Sequence, residues 1–229
     1  PDDARKQTRL AVSRFAQGDA DTALQDLERI SASDSGTSAD MALIAGHLRR
    51  NELDRALKAI DGLEKKQPKS ALPHELRGRV MLARRDYPAA RKSFGRALEL
   101  SPDYFPAVRG LAEIDLAEKK PRDAEERFAR LVAADPRNTQ AQLALAMLKA
   151  RAGASSEEVA GLIRKAVTAR PDELGPRLAL IEHYLRARDP VKAVSAGQEA
   201  VAALPNRPEV HEMLGQAQMA SGDYNQALS

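Results

Sequence analysis

Cysteine is absent from this 229-residue chain. Disulfides and cysteine-zinc sites are therefore excluded, and either a reducing or an oxidising compartment is compatible with the chain. Tryptophan is absent too, and aromatic residues make up only 3%. Any core must be aliphatic. No apolar run approaches the ~18 residues of a membrane span, and no signal peptide is visible. No strand pattern occurs, so no glycine-rich phosphate loop can follow a strand. No G-x-S-x-G elbow is present to activate a serine. The four histidines, His47, His74, His183 and His211, lie far apart and form no i, i+4 pair. They are expected at polar or half-buried positions on helices rather than in one coordination sphere. No metal, no cofactor and no enzymatic activity are expected.

A concentrated charge of one sign is also missing. The chain has 36 basic and 33 acidic residues, a formal net charge of +3. The two signs are mixed along every helical pattern, so the sequence pI of about 9.2 overstates the case for a polyanion. A nucleic-acid partner would want a concentrated basic face, and none is expected here. Carboxylate pairs such as Glu125-Glu126 and Glu157-Glu158 fall at helix starts, where the helix dipole favours them.

What the chain has is a period. The stretch Ala71 to Tyr104, ALPHELRGRVMLARRDYPAARKSFGRALELSPDY, holds one helical pattern, a break at Arg85-Asp86, a second helical pattern and a Ser-Pro stop. Prolines recur at Pro68, Pro102, Pro136, Pro171 and Pro205, in steps of 34, 34, 35 and 34 residues. The small residue of the second helix recurs at Ala23, Ala56, Ala90, Ala124, Val159, Ala193 and Ala227. Such a period predicts a solenoid of helix-turn-helix repeats. The expected repeats cover residues 4–36, 37–70, 71–104, 105–138, 139–173, 174–207 and, in part, 208–229, as a single array. The chain opens without Met and stops inside a repeat, so it reads as part of a longer protein.

Local chemistry supports that register. Apolar residues spaced by three and four mark amphipathic helices: Leu10, Val12 and Phe15, then Ala23, Leu24, Leu27 and Ile30, open the series. Each recurrent proline blocks continuation of a helix where one hairpin ends. Gly18, Gly153 and Gly222 suit a turn with positive φ, whereas Gly78 and Gly215 suit close helix approach. Ser155 or Ser156 is a helix N-cap, followed by the two glutamates. The extra residue of the 35-residue step is placed in the turn from Ala152 to Glu158. The linker from Ser31 to Gly36 lacks a proline and is expected to be the most flexible stretch.

These small-residue, aromatic and proline positions resemble the tetratricopeptide repeat, with Gly78, Ala90, Phe94, Ala97 and Pro102 matching its pattern and His74 replacing the usual early Trp. The resemblance implies an all-α, right-handed superhelical solenoid. A narrower likeness rests on LEKKQP at Leu63–Pro68, ALEL at Ala97–Leu100, YFPA at Tyr104–Ala107 and PRLALIEHYL at Pro176–Leu185. These phrases resemble the tetratricopeptide-repeat lipoprotein family of the exosortase/PEP-CTERM system, PrsT. That likeness implies a bacterial envelope protein of the periplasm or outer membrane, held by a lipid anchor outside this chain and linked to exopolysaccharide export and protein sorting. A cytoplasmic adaptor is the alternative.

The resemblance also implies that first helices line a concave face holding a peptide or helix. The groove positions are then Arg49, Arg79, Arg109, Glu113, Met147, Arg151, Glu182 and Arg186. Arginines give bidentate recognition of carboxylates and stack on rings, so the groove is mildly basic. Grooves that clamp a terminal carboxylate in this family use Lys and Asn. Here the equivalent positions hold Glu75 and Arg79, or Arg109 and Glu113, which argues against that clamp. The expected function is a non-catalytic protein–protein interaction scaffold. An anionic polysaccharide in the groove and self-association through the last repeat are the competing readings.

Overall fold

The computed structural model describes residues 2–223. Among them are thirteen α-helices and no strand. In pairs they are α1 (Asp2–Ala16) with α2 (Ala20–Ser33), α3 (Ser38–Arg49) with α4 (Leu53–Lys66), and α5 (Ala71–Ala83) with α6 (Tyr87–Leu100). Then come α7 (Phe105–Ala117) with α8 (Pro121–Ala134), α9 (Thr139–Arg151) with α10 (Ser156–Ala169), α11 (Leu174–Arg186) with α12 (Pro190–Ala203), and α13 (Pro208–Ser221). Tyr224 and Ala227, expected in a further second helix, lie outside the described residues. The chain divides into two compact units, one ending at Ile114 and the other starting at Asp115.

The helix ends follow from local chemistry. Asp86, Asn138, Ser155 and Asp189 each cap a helix by accepting a hydrogen bond from a backbone N–H three residues on, at 2.9–3.2 Å. Ser155, not Ser156, is therefore the cap. Prolines open α8, α12 and α13 at first-turn positions whose N–H would be unpaired anyway. The recurrent prolines each sit two residues past a helix end. The extra residue falls in the loop between α9 and α10, which has four residues where the other intra-hairpin loops have three. Gly18, Gly153 and Gly222 adopt φ of +97°, +85° and +85°. The same left-handed turn is taken by Asn51, Arg85, Lys119 and Arg188, at φ of 56–61°. Backbone geometry thus recurs at every turn even where glycine does not.

In the unit ending at Ile114, the cores of successive hairpins merge through aliphatic side chains: Leu24, Leu27 and Ile30 with Leu43, then Ile44, Ile60, Leu63 and Val80. Farther on, Phe94 is fully buried between α5 and α7, because Gly78 and Gly110 leave room for its ring. A methyl group on either glycine would overlap that ring. Two expectations fail in this unit. Leu10 and Val12 are exposed rather than buried, and the inward positions of α1 are Thr8 and Ala11. The linker expected to be loose is instead tied by Lys66, whose Nζ donates to Ser31 O at 2.7 Å and Gly36 O at 3.3 Å. The same ammonium reaches Asp40 Oδ2 at 2.7 Å, on a carboxylate only 1% exposed. Ser31 Oγ donates to the other oxygen of Asp40 at 2.6 Å. The buried charge is therefore paired and hydrogen-bonded.

The unit starting at Asp115 has a core of its own. Ala146, Ala160, Ala193, Ala200 and Ala217 pack with Ile163, Ile181 and Tyr184. Tyr184 is buried, with the guanidinium of Arg164 5.8 Å and the ammonium of Lys192 5.7 Å from its ring centroid. Here the second helix supplies the gap: Gly197 of α12 faces Leu214 of α13, whose Cδ1 would meet an added Cβ at 2.9 Å.

Candidate functional site

The eight positions expected to line a groove fall four to each unit. In the unit starting at Asp115, Met147 and Arg151 lie on α9, and Glu182 and Arg186 on α11. All four line one cleft of about 690 Å³. Its wall is completed by Ala146, Val159 and Ile163, so the floor is apolar and the rim is charged. Met147 is 55% exposed, on the face of α9 that also exposes Ala150 and Arg151. Arg186 Nη2 is 3.4 Å from Glu182 Oε2, one helical turn back. Arg151 has no ion-pair partner among the described residues. At one end His183, whose role the sequence left open, sets Nε2 2.8 Å from Ser156 O and 3.0 Å from Ser156 Oγ. That contact ties α11 to the start of α10.

In the other unit, Arg49 is exposed at the end of α3, Arg79 on α5, and Arg109 and Glu113 on α7. The structure brings Arg79 and Arg109 around a residue not counted among the groove positions, Glu75. Arg79 Nε is 3.9 Å from Glu75 Oε1. Burial pushes the Glu75 carboxyl above the usual glutamate range, against the pull of Arg79 and Arg109. Burial, and then the charge of Glu75, push the Tyr104 phenol up as well. The sequence signal for this cluster was Glu75 standing one turn before Arg79; nothing in it announced the burial.

A second cleft in this unit, of about 740 Å³, opens between α2 and α4. Asp21, Glu28, Arg55 and Lys58 surround it and His47 stands at its base. His47 is 2% exposed, not half-buried as expected, and its Nδ1 lies 2.8 Å from Glu52 Oε2. His74 is buried too, and His211 donates to Pro205 O at 2.9 Å. Among the described residues no group of three or more acidic or histidine side chains is placed to hold a metal ion. No helix among them is long and apolar enough to cross a membrane.

Comparison with known proteins agrees with this geometry. Two tetratricopeptide repeat family models match residues 41–105 and 81–148. Residues 41–148 thus carry tetratricopeptide repeats, and the helical hairpins outside that stretch have the same form. Among solved structures it resembles yeast Tom70, with a TM-score of 0.69, 14% identity, and coverage of 89% of this chain and 44% of that one. A tetratricopeptide repeat protein from Parabacteroides merdae gives a TM-score of 0.58 at 18% identity, covering 96% and 85%. Pseudomonas aeruginosa pilF gives 0.55 at 19% identity, covering 94% and 98%. These likenesses concern the fold alone. In sequence, a putative cellulose synthase operon protein C from Escherichia coli O157:H7 is 28% identical over 127 residues. That match takes in 53% of this chain but only 11% of the relative, which is far longer.

Proposed function

We propose that this protein is a non-catalytic scaffold that holds an extended peptide or a helix of a partner protein along its first helices. The observation that carries this reading is the cleft between α9 and α11, where Met147, Arg151, Glu182 and Arg186 surround an apolar floor. An exposed methionine over alanine and isoleucine offers adaptable apolar contact. The charged rim offers orientation. Aliphatic floor and mixed rim suit an amphipathic segment better than a uniformly charged chain.

The chain belongs, in this reading, to one array of repeats within a longer envelope protein, of the PrsT lipoprotein type, serving exopolysaccharide export and PEP-CTERM sorting. Its likeness to a cellulose synthase operon protein supports a polysaccharide-linked setting. The test is retention of partners from separated envelope and cytoplasmic fractions by the wild type and by Met147→Glu with Arg151→Glu. A partner retained from the envelope and lost at least tenfold in the double variant is the expected result. Unchanged retention removes the cleft from the reading, and a partner present only in the cytoplasmic fraction removes the envelope setting.

A further inference from the structure

Glu75 is a largely buried acid, 3% exposed, that pairs with Arg79 at long range and accepts no hydrogen bond from the described residues. Its closest cation, Arg79 Nε at 3.9 Å, is beyond hydrogen-bond range. The Glu75 oxygens keep a small opening to solvent, since Gln142 Oε1 is the one fully buried side-chain polar atom without a hydrogen-bond partner among the described residues, so a ligand can reach them and supply the donor that the protein withholds. The hydroxyl of Tyr104, in the loop just before α7, also lacks a hydrogen-bond partner among the described residues. The charged groups that act on Glu75 are Arg79 from its own helix and Arg109 from α7. The Phe94 ring, seated between Gly78 and Gly110, holds those two helices close enough for this.

The arrangement selects among ligands. A bare ammonium or guanidinium would satisfy Glu75 but would be repelled by two arginines, both exposed. A carboxylate would suit the arginines but would oppose Glu75. A primary carboxamide satisfies both, since its N–H₂ donates and its C=O accepts.

We infer that the surface formed by α5 and α7 reads an Asn or Gln side chain of a bound peptide, the amide N–H donating to Glu75 and the amide oxygen accepting from Arg79 or Arg109. The inference rests on the reading that a peptide lies along the first helices. It adds which side chain that peptide must present. Glu75 is then a specificity-determining residue whose charge disfavours acidic peptides at this position.

The experiment uses a positional library of seven-residue peptides, acetylated at the N-terminus and immobilised through the C-terminus so that no terminal carboxamide competes. Wild-type protein is expected to enrich Asn or Gln at one position by about tenfold, the worth of one buried hydrogen bond to a charged group. Glu75→Leu, verified as folded by its melting curve, is expected to flatten that preference. Glu75→Gln, which keeps an accepting oxygen, restores part of it. Survival of the preference in Glu75→Leu, or its absence in the wild type despite peptide retention, overturns the inference. If retention then falls with Met147→Glu and Arg151→Glu, the scaffold reading stands without it. Failure of the wild type to retain any peptide overturns both.

Discussion

Two close helix approaches, one in each unit, divide volume in opposite ways. Before Ile114 the bulk sits on a second helix: Phe94 of α6 fills a space left by glycines on α5 and α7. After Asp115 the second helix α12 gives way, and Leu214 of α13 comes up against Gly197. Both arrangements leave the core closed. A repeat position is therefore constrained by the summed volume of neighbouring side chains rather than by the identity of any one, as close packing requires. The two proposed binding surfaces also differ. One is an apolar-floored cleft with an exposed methionine; the other is a charged cluster over a buried acid.

The sharpest way to break the packing comparison is to move the volume. Phe94→Ala is expected to cost about 3–5 kcal/mol, and Gly78→Leu about 1–3 kcal/mol or more from overlap with the ring. Combined, the two changes should cost clearly less than their sum, because leucine enters the space the ring vacated. Urea denaturation of the four proteins measures this. Strict additivity would mean that volume is not shared between α5 and α6.

The largely buried acid of the α5–α7 surface is tested by pH. The folded-state pKa of Glu75 is raised, so the fold binds more protons than the unfolded chain between the ordinary glutamate pKa and the raised one. Stability contributed by the protonated form is full below the ordinary value and is lost as pH rises through the folded value. Glu75→Gln should therefore raise the melting temperature at neutral pH, by a free energy of order 1 kcal/mol, with the gain vanishing in acid. Melting curves of Glu75→Gln at acid and neutral pH test this, and a gain of the same size at both would mean that the Glu75 carboxyl is not its source.

The smallest effect lies in the turns. Arg85 carries a left-handed conformation that Gly153 carries without a side chain. Arg85→Gly relieves about 1–2 kcal/mol of backbone strain while adding roughly 0.5–1 kcal/mol of unfolded-state entropy, for a net gain of about 0–1.5 kcal/mol. Gly153→Ala should lose a comparable amount. Thermal melts of both variants test whether the turns are equivalent.

Much of this architecture was legible residue by residue. Prolines two positions past helix ends, glycines at three turns, and Ala23, Leu24, Leu27 and Ile30 on one face all carry their meaning locally. Other features were not local. Leu10 and Val12 obey helical spacing yet face outward, because neighbouring helices, not periodicity, decide which side of α1 is covered. Gly110 was not singled out although it faces the same ring as Gly78. The linker at Ser31 to Gly36 looked loose until Lys66, some thirty residues later, was seen to hold it.

The sequence by itself determined the period, the helical hairpins and the places where chain direction changes, since these depend on φ restrictions, caps and amphipathic spacing within a few residues. It also selected Met147, Arg151, Glu182 and Arg186, but as separate positions. Only the tertiary structure decided that those four share one cleft, that Lys66 closes on Asp40, and that Glu75 is largely buried beside Arg79 and Arg109. Burial and charge pairing are properties of what packs against a residue, and those neighbours come from other helices.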